Sequence, residues 1–267
     1  MIIEDGAQLK DLKNNACLGT HPRIVNSTFN FVGENNLLIF EDNITFTNST
    51  ISFKGDNAVI YLSSNCFSYE MNMVIFSHSA AYVGQNNYFN GKLNVIISEG
   101  QNFILGNQCM FSFDIWIRNS NAHLIYDATN MQRINPSKSI VIGDHVWIGQ
   151  HAMILKGSVI HSGSIVGAMS VLAGKTVKSN CSWAGNPAKR IQENIFWSGE
   201  SVHSWTEPMT QHYSIFPHQN FVFENDGQAM DMVAFDRKLL QAASVQDKAR
   251  LLLTLAANKN KNRFYGA

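Results

Sequence analysis

A parallel β-helix followed by a helical extension is the fold this sequence predicts, from three features. Eight consecutive hexads run from Ile142 to Lys189. Their first positions are Ile142, Ile148, Ile154, Ile160, Val166, Leu172, Lys178 and Ala184. Their fifth positions are Val146, Ala152, Ser158, Ser164, Ser170, Thr176, Ser182 and Ala188. A period of six suits neither a helix of 3.6 residues per turn nor an alternating strand, and a short fixed repeat marks a stacked-coil architecture. Upstream, segments such as Gly33–Ile39, Gly55–Ile60, Gly84–Asn87 and Gly100–Ile104 repeat a polar turn followed by an inward β segment. Downstream, residues 227–258 carry apolar residues at helical spacing,.

Each element has a local reason. Residues 1–26 are read as an N-terminal cap and residues 27–190 as the prism. Alternation in Ile44-Thr-Phe-Thr and Ile51-Ser-Phe supports strands there,. Irregular spacing between the upstream units suggests insertions. In the hexads the first residue fills a narrow prism, each burial contributing about 1.5–3 kcal/mol. The small fifth residue faces inward near a corner where bulk would overpack. Asp144, Gly157, Gly163, Gly174 and Asn186 supply residue types that accept tight turns,. Three hexads make one triangular coil, with strands about 4.8 Å apart. Residues 119–138 are polar and read as a loop leaving the prism. Residues 191–267 form the extension, with one or two helices and a basic tail, KNKNRFYGA.

Composition narrows the function. Of 267 residues, 45% are hydrophobic and 15% charged, enough to bury a continuous core,. Twenty acidic residues balance twenty basic ones, which argues against general nucleic-acid binding. There is no apolar run long enough for a transmembrane segment and no apolar signal-peptide core at the N-terminus. A cytoplasmic location is therefore expected. The basic tail is able to touch the inner-membrane surface, though too short to anchor there. Cys17, Cys66, Cys109 and Cys181 are scattered without a metal-ligand or disulfide spacing,.

The candidate chemistry lies in the polar loop. His123 sits in the run Arg118-Asn-Ser-Asn-Ala-His-Leu-Ile-Tyr-Asp127, followed by Arg133-Ile-Asn-Pro136 and Ile142-Gly-Asp-His-Val-Trp-Ile-Gly149. This order resembles that of hexapeptide-repeat O-acetyltransferases, and most closely the capsular polysialic acid O-acetyltransferases. The resemblance is specific over roughly residues 100–191. It implies a left-handed winding, a homotrimer with active sites between subunits, and acetyl-CoA as donor with no metal. It further implies transfer to a sialic acid hydroxyl of a capsular polysaccharide. His123 is the implied base, and its spacing from Trp147 along the chain is that of the family. Asn121 stands where the family often has Asp, which leaves a backbone carbonyl to orient the imidazole. The chemistry agrees: an imidazole with a pKa of about 6.5 can accept the hydroxyl proton, an effect worth about 10²–10⁴-fold. Trp147 ends its hexad pointing outward, where it either walls the acceptor site and helps hold the oxyanion, or packs against a neighbouring subunit.

For the coenzyme, matching the family motif places the pantetheine arm against Gln150, Gly167, Ala168 and Ala173. The phosphate-facing cation falls on Lys175, with Gly174 read as a one-residue insertion, and Lys189 and Arg190 in Ala184-Gly-Asn-Pro-Ala-Lys189 face the nucleotide. Arg118 and Arg133 flank the loop and are candidates for an anionic acceptor. No serine or cysteine forms a nucleophile motif beside His123, so direct transfer is expected rather than an acetyl-enzyme. Three other readings stay open. One is the same chemistry on a galactoside, serine or an antibiotic. The second is a non-catalytic scaffold. The third is a zinc carbonic anhydrase, which needs three converging imidazoles, whereas His145 and His151 belong to different faces.

Overall fold

Parallel strands stack into three faces around one apolar core in this computed structural model, which describes residues 1–267. The fold is the expected left-handed parallel β-helix with a C-terminal helical extension. The first face holds eight strands, from the antiparallel Ile2–Ile3 to Val171–Ala173. The second also holds eight, from Ala16–Gly19 to Thr176–Val177. The third runs from Tyr88–Phe89 to Lys189–Glu193, with a separate pair, Arg23–Val25 and Thr45–Thr47, in its place near the N-terminus. Strands thus begin at Ala16 and Arg23 inside the segment read as a cap, and join the stack below residue 27.

Two coil sizes replace the irregular upstream spacing inferred from sequence. Thr28, Thr50, Asn72, Asn94 and Trp116 are successive partners on the first face, all at one constant interval. Trp116 then pairs with Met153, across the 119–138 loop, and Met153 pairs with Val171 at a clearly shorter interval. The upstream repeat is therefore regular but longer. Its wider bore is filled by aromatic rings: Phe31 stacks on Phe53 at 4.8 Å, Phe46 on Tyr69 at 5.3 Å and Phe89 on Phe111 at 5.5 Å. The narrower coils are filled by Ile142, Ile148, Ile154, Ile160, Val166 and Leu172, all fully buried.

From the corner at Gly174 onward the core positions are out of phase with the sequence reading. Ile142 pairs with Ile160, three full hexads on, but Ile160 pairs with Val177, one position short of three hexads. Val177 and Cys181 therefore point into the core, while Lys178 and Thr176 are exposed. The corner at Gly174 is one residue shorter than its neighbours, so against this chain's own repeat the irregularity is a deletion rather than an insertion. The left-handed residue of each corner tracks the shift, from Met169 (φ 58°) to Gly174 (φ 59°) to Asn180 (φ 55°).

The extension covers the second face. Helices α1 (Glu207–His212), α2 (Met232–Gln241) and α3 (Val245–Ala257) follow the prism. Asp231 caps α2 by accepting from Ala234 N, and Ser244 caps α3 by accepting from Asp247 N,. Phe235, Leu239, Leu252 and Leu255 pack on Val59, Tyr61, Tyr82, Ile104 and Val141, the outward side chains of the second face. The basic tail is folded in rather than free. Arg263 is 1% exposed and binds both oxygens of Asp144 at 2.9 Å, while its Nη1 donates to the carbonyls of Leu255 and Asn258. No helix is long and apolar enough to cross a membrane.

The register shift makes a paired test. Val177→Asp should unfold the last coils, lowering stability by several kcal/mol because a carboxylate enters the core. Lys178→Asp, on the surface, should stay within about 0.5 kcal/mol of the parent in denaturant melts. Equal effects would place the corner elsewhere.

Candidate active site

The loop at 119–138 leaves the prism at the corner between the first and second faces and returns to it as a closed arm. Asn119 is buried at its root, accepting from Ser98 N at 2.9 Å, and Lys138 N donates back to the Asn119 carbonyl at 3.1 Å. Within the arm Tyr126 and Arg133 form an antiparallel bridge, with Ile134 N donating to Ile125 O. Asp127 holds the turn by accepting from Thr129 N and Oγ1, which lowers its carboxyl pKa. Leu124, Ile125, Tyr126, Met131 and Ile134 are all exposed, so the arm presents an apolar surface.

His123 sits on the ascending limb of this arm and is exposed. No hydrogen bond from within the chain reaches its imidazole. Its backbone carbonyl, however, accepts from Asn135 Nδ2 at 2.8 Å. Arg133, read from sequence as a substrate contact, is engaged by Glu99 at 2.8 and 3.0 Å. The same carboxylate accepts from Ser137 Oγ at 2.5 Å and Ser137 N at 3.2 Å. These hydrogen bonds, Arg133 first, lower the Glu99 pKa to about 2. Arg118 lies at the end of a first-face strand, its Nε buried without a partner.

Below the arm, on the same corner, a cavity of about 340 Å³ is lined by Ile134, Pro136, Lys138, Lys156, Gly157, Ala173 and Gly174. Ala173 and Lys175 are exposed there. Burial and the nearby Arg133 and Lys138 lower the Lys156 pKa.

Trp147 lies elsewhere, on the third face, opposite that corner. Its Nε1 is buried without a hydrogen-bond partner. Gln150, Gly167 and Ala168 line the corner between the third and first faces, where a Cβ on Gly149 would stand 2.5 Å from Ala168 N. The coils stack so closely there that only glycine fits at position 149, and the small side chain of Ala168 is exposed. Lys189 and Arg190 lie on the closing antiparallel strand, Lys189 exposed and Arg190 paired with Glu193. One chain therefore splits the candidates into two groups. His123, Arg133, Ala173 and Lys175 share one corner, and Trp147, Gln150, Gly167 and Ala168 stand on the other side of the prism.

His145 and His151 occupy different corners. His145 is sandwiched between Trp197 at 4.0 Å and Phe221 at 4.3 Å, both rings nearly parallel to it. Trp197 Nε1 donates to the His145 carbonyl, and His145 Nε2 meets the Trp197 carbonyl, each at 3.0 Å. Burial lowers the His145 pKa, so the ring is a neutral clasp for the extension. Trp197 in turn lies 6.0 Å from Trp147. His151 is exposed, 3.5 Å from Asp114.

Residues 139–174 match the family model described as bacterial transferase hexapeptide (six repeats). The stretch is a hexapeptide repeat. Among similar proteins, a polysialic acid O-acetyltransferase of Escherichia coli O1:K1 / APEC is 44% identical over 102 residues, 38% of this chain and 33% of that protein. One of Neisseria meningitidis is 41% identical over 108 residues, 40% of this chain and 50% of that protein. The matches thus span one third to one half of those relatives' length. The crystal structure of the polySia-specific acetyltransferase NeuO is similar at a TM-score of 0.65 and 29% identity, covering 75% of this chain and 94% of that one. The polysialic acid O-acetyltransferase OatWY is similar at 0.56 and 25% identity, covering 76% and 99%.

Sequence reasoning missed Glu99 and Asn135, the groups that hold the arm. Glu99 occupies a corner in left-handed conformation (φ 56°), a position that reads as turn chemistry only. Because its pKa is lowered, the clasp adds stability above the ordinary carboxylate range and loses it as the pH falls towards about 2,. The Glu99 carboxyl should titrate near pH 2 in a carbon-detected NMR titration, and Arg133→Ala should move it towards about 4.3,. An unchanged titration would mean that Arg133 does not hold it.

Proposed function

We propose that the protein transfers acetyl from acetyl-CoA to a hydroxyl of sialic acid in a capsular polysaccharide. The observation that supports this is its likeness to the polySia-specific acetyltransferase NeuO, at a TM-score of 0.65 and 29% identity over 94% of that chain. His123 is the general base. Its imidazole takes the acceptor hydroxyl proton as that oxygen attacks the thioester carbonyl. The tetrahedral oxyanion collapses, the carbon–sulfur bond breaks, and the proton passes to the departing thiolate. The acetyl ester and free CoA result. The buried, unpartnered Trp147 Nε1 is a donor suited to an oxyanion or to the acyl carbonyl,.

The two groups of candidates meet only if two chains meet. A corner bearing His123, Ala173 and Lys175 in one protomer faces Trp147, Gln150, Gly167 and Ala168 in the next, and repeating that contact closes a homotrimer. The coenzyme lies in the groove between them, its pantetheine along the small residues Gly167 and Ala168. Its phosphates are set towards Lys175 and Lys189, with Arg190 shared with Glu193. Arg118 faces the anionic acceptor, and Arg133 contributes through the arm it anchors. No metal enters this scheme. The protein works in the cytoplasm.

Two experiments test the chemistry. Release of CoA thiol should require a sialylated polymer, and His123→Ala should reduce it by about 10²-fold or more. Release with free galactoside or serine would keep the mechanism and overturn the acceptor. Acetyl-CoA alone should leave no acetyl group on the protein by intact mass, since direct transfer forms no covalent intermediate; a shift of one acetyl group would overturn that route.

A further inference from the structure

We propose that Asn135 is the positioning residue of His123. The inference rests on the base role assigned to His123 above. Asn135 is 5% exposed, and its amide grips the His123 segment with both ends. Nδ2 donates to the His123 carbonyl at 2.8 Å, and Oδ1 accepts from Ile125 N at 2.9 Å. The peptide units on either side of Leu124 are thus tied to one planar group. The imidazole itself has no partner in the chain, so the backbone at this point is what decides where its ring stands.

The grip is itself held from the prism. Pro136 follows Asn135, and its carbonyl accepts from Lys156 Nζ at 3.2 Å. Arg133 Nε donates to Asn135 Oδ1 at 3.3 Å, and Arg133 and Ser137 on either side are locked to Glu99. Glu99 belongs to the rigid corner one coil earlier. A chain of short polar contacts therefore runs from the prism through Glu99 and Arg133 to Asn135, and from Asn135 to the backbone of His123. An exposed arm without that chain would place the ring loosely, and a displacement of about 1 Å at a reacting group can cost about 10²-fold.

The decisive variant is Asn135→Asp, which keeps the acceptor for Ile125 N but sets a carboxylate oxygen against the His123 carbonyl. Measured on the full chain with acetyl-CoA and sialylated polymer, kcat should fall by about 10- to 100-fold. KM for acetyl-CoA should stay unchanged, as should the melting of the prism. The same substitution in a His123→Ala background should cost nothing more, because a residue that acts only through His123 has nothing left to position. Asn135→Ser, whose single, shorter hydroxyl cannot hold both peptide units, gives the same comparison if the aspartate variant does not fold. Equal losses in both backgrounds would make Asn135 a general scaffold residue and overturn the proposal, as would a wild-type kcat in the single variants. Full activity in His123→Ala alone would remove the base itself, a failure distinct from that of Asn135.

Discussion

The fold depends on one backbone constraint, a residue in left-handed conformation at most corners. His145, His151, Gly157, Gly163 and Met169 follow one another at intervals of six with φ between 52° and 76°. Such a conformation costs about 1–2 kcal/mol for a residue with a side chain. Histidine and methionine accept it here because each corner closes a coil whose strands hydrogen-bond above and below. Where the interval drops to five, between Met169 and Gly174, every later side chain moves by one position. Corner spacing thus decides which residues face the core, and stacking in register carries that decision along the prism.

The C-terminal extension follows from the same geometry. First-face strands such as TFNFV and TISFK alternate apolar residues with polar ones, most of them only half-buried, but second-face strands read LLIF, VIYL and AAYV and are buried on both sides. A strand with two apolar faces needs a cover, and α2 and α3 supply it from within the chain. The cover is locked at the adjoining corner by Arg263 and Asp144. Replacing both partners of a buried ion pair by apolar residues is often tolerated, whereas removing one leaves a charge in the core. The pair therefore specifies where the tail docks more than it adds to stability. With the second face covered in this way, a neighbouring subunit has the other two faces and their corners to meet.

Much of this was legible in the sequence. The hexads gave the coil, its inward column and the small residues beside it, because burial and turn chemistry act on adjacent residues. Continuous apolar strands were visible too, but what covers them was not, since Phe235 and Leu252 reach the second face from the far end of the chain. Phase was lost at Gly174 because a short corner and a long one look alike until the strands are paired. The longer upstream coil escaped for a related reason: longer strands dilute a hexad pattern, and Phe and Asn take the places of Ile and Gly. At the site, His123 and Trp147 stood out by motif. Their supports did not, because Glu99 and Asn135 act through hydrogen bonds that no spacing rule encodes.

The separation of His123 from Trp147 bears on how such a prism can carry out chemistry. A stacked coil is rigid, and its core offers no cavity for two substrates, since Ile and Phe side chains fill it from end to end. A cleft has to be built outside, either by an insertion from one corner or by a second prism alongside. The arm at 119–138 does the first, and the apolar side chains it exposes, Leu124, Tyr126, Met131 and Ile134 among them, suit it to the second. In the proposed trimer the arm of one chain lies against the third-face side of the next, so burial of these side chains and completion of the site are a single event. On this view, assembly and activity share one interface, and the Glu99 clasp serves both by fixing the arm before the neighbour arrives.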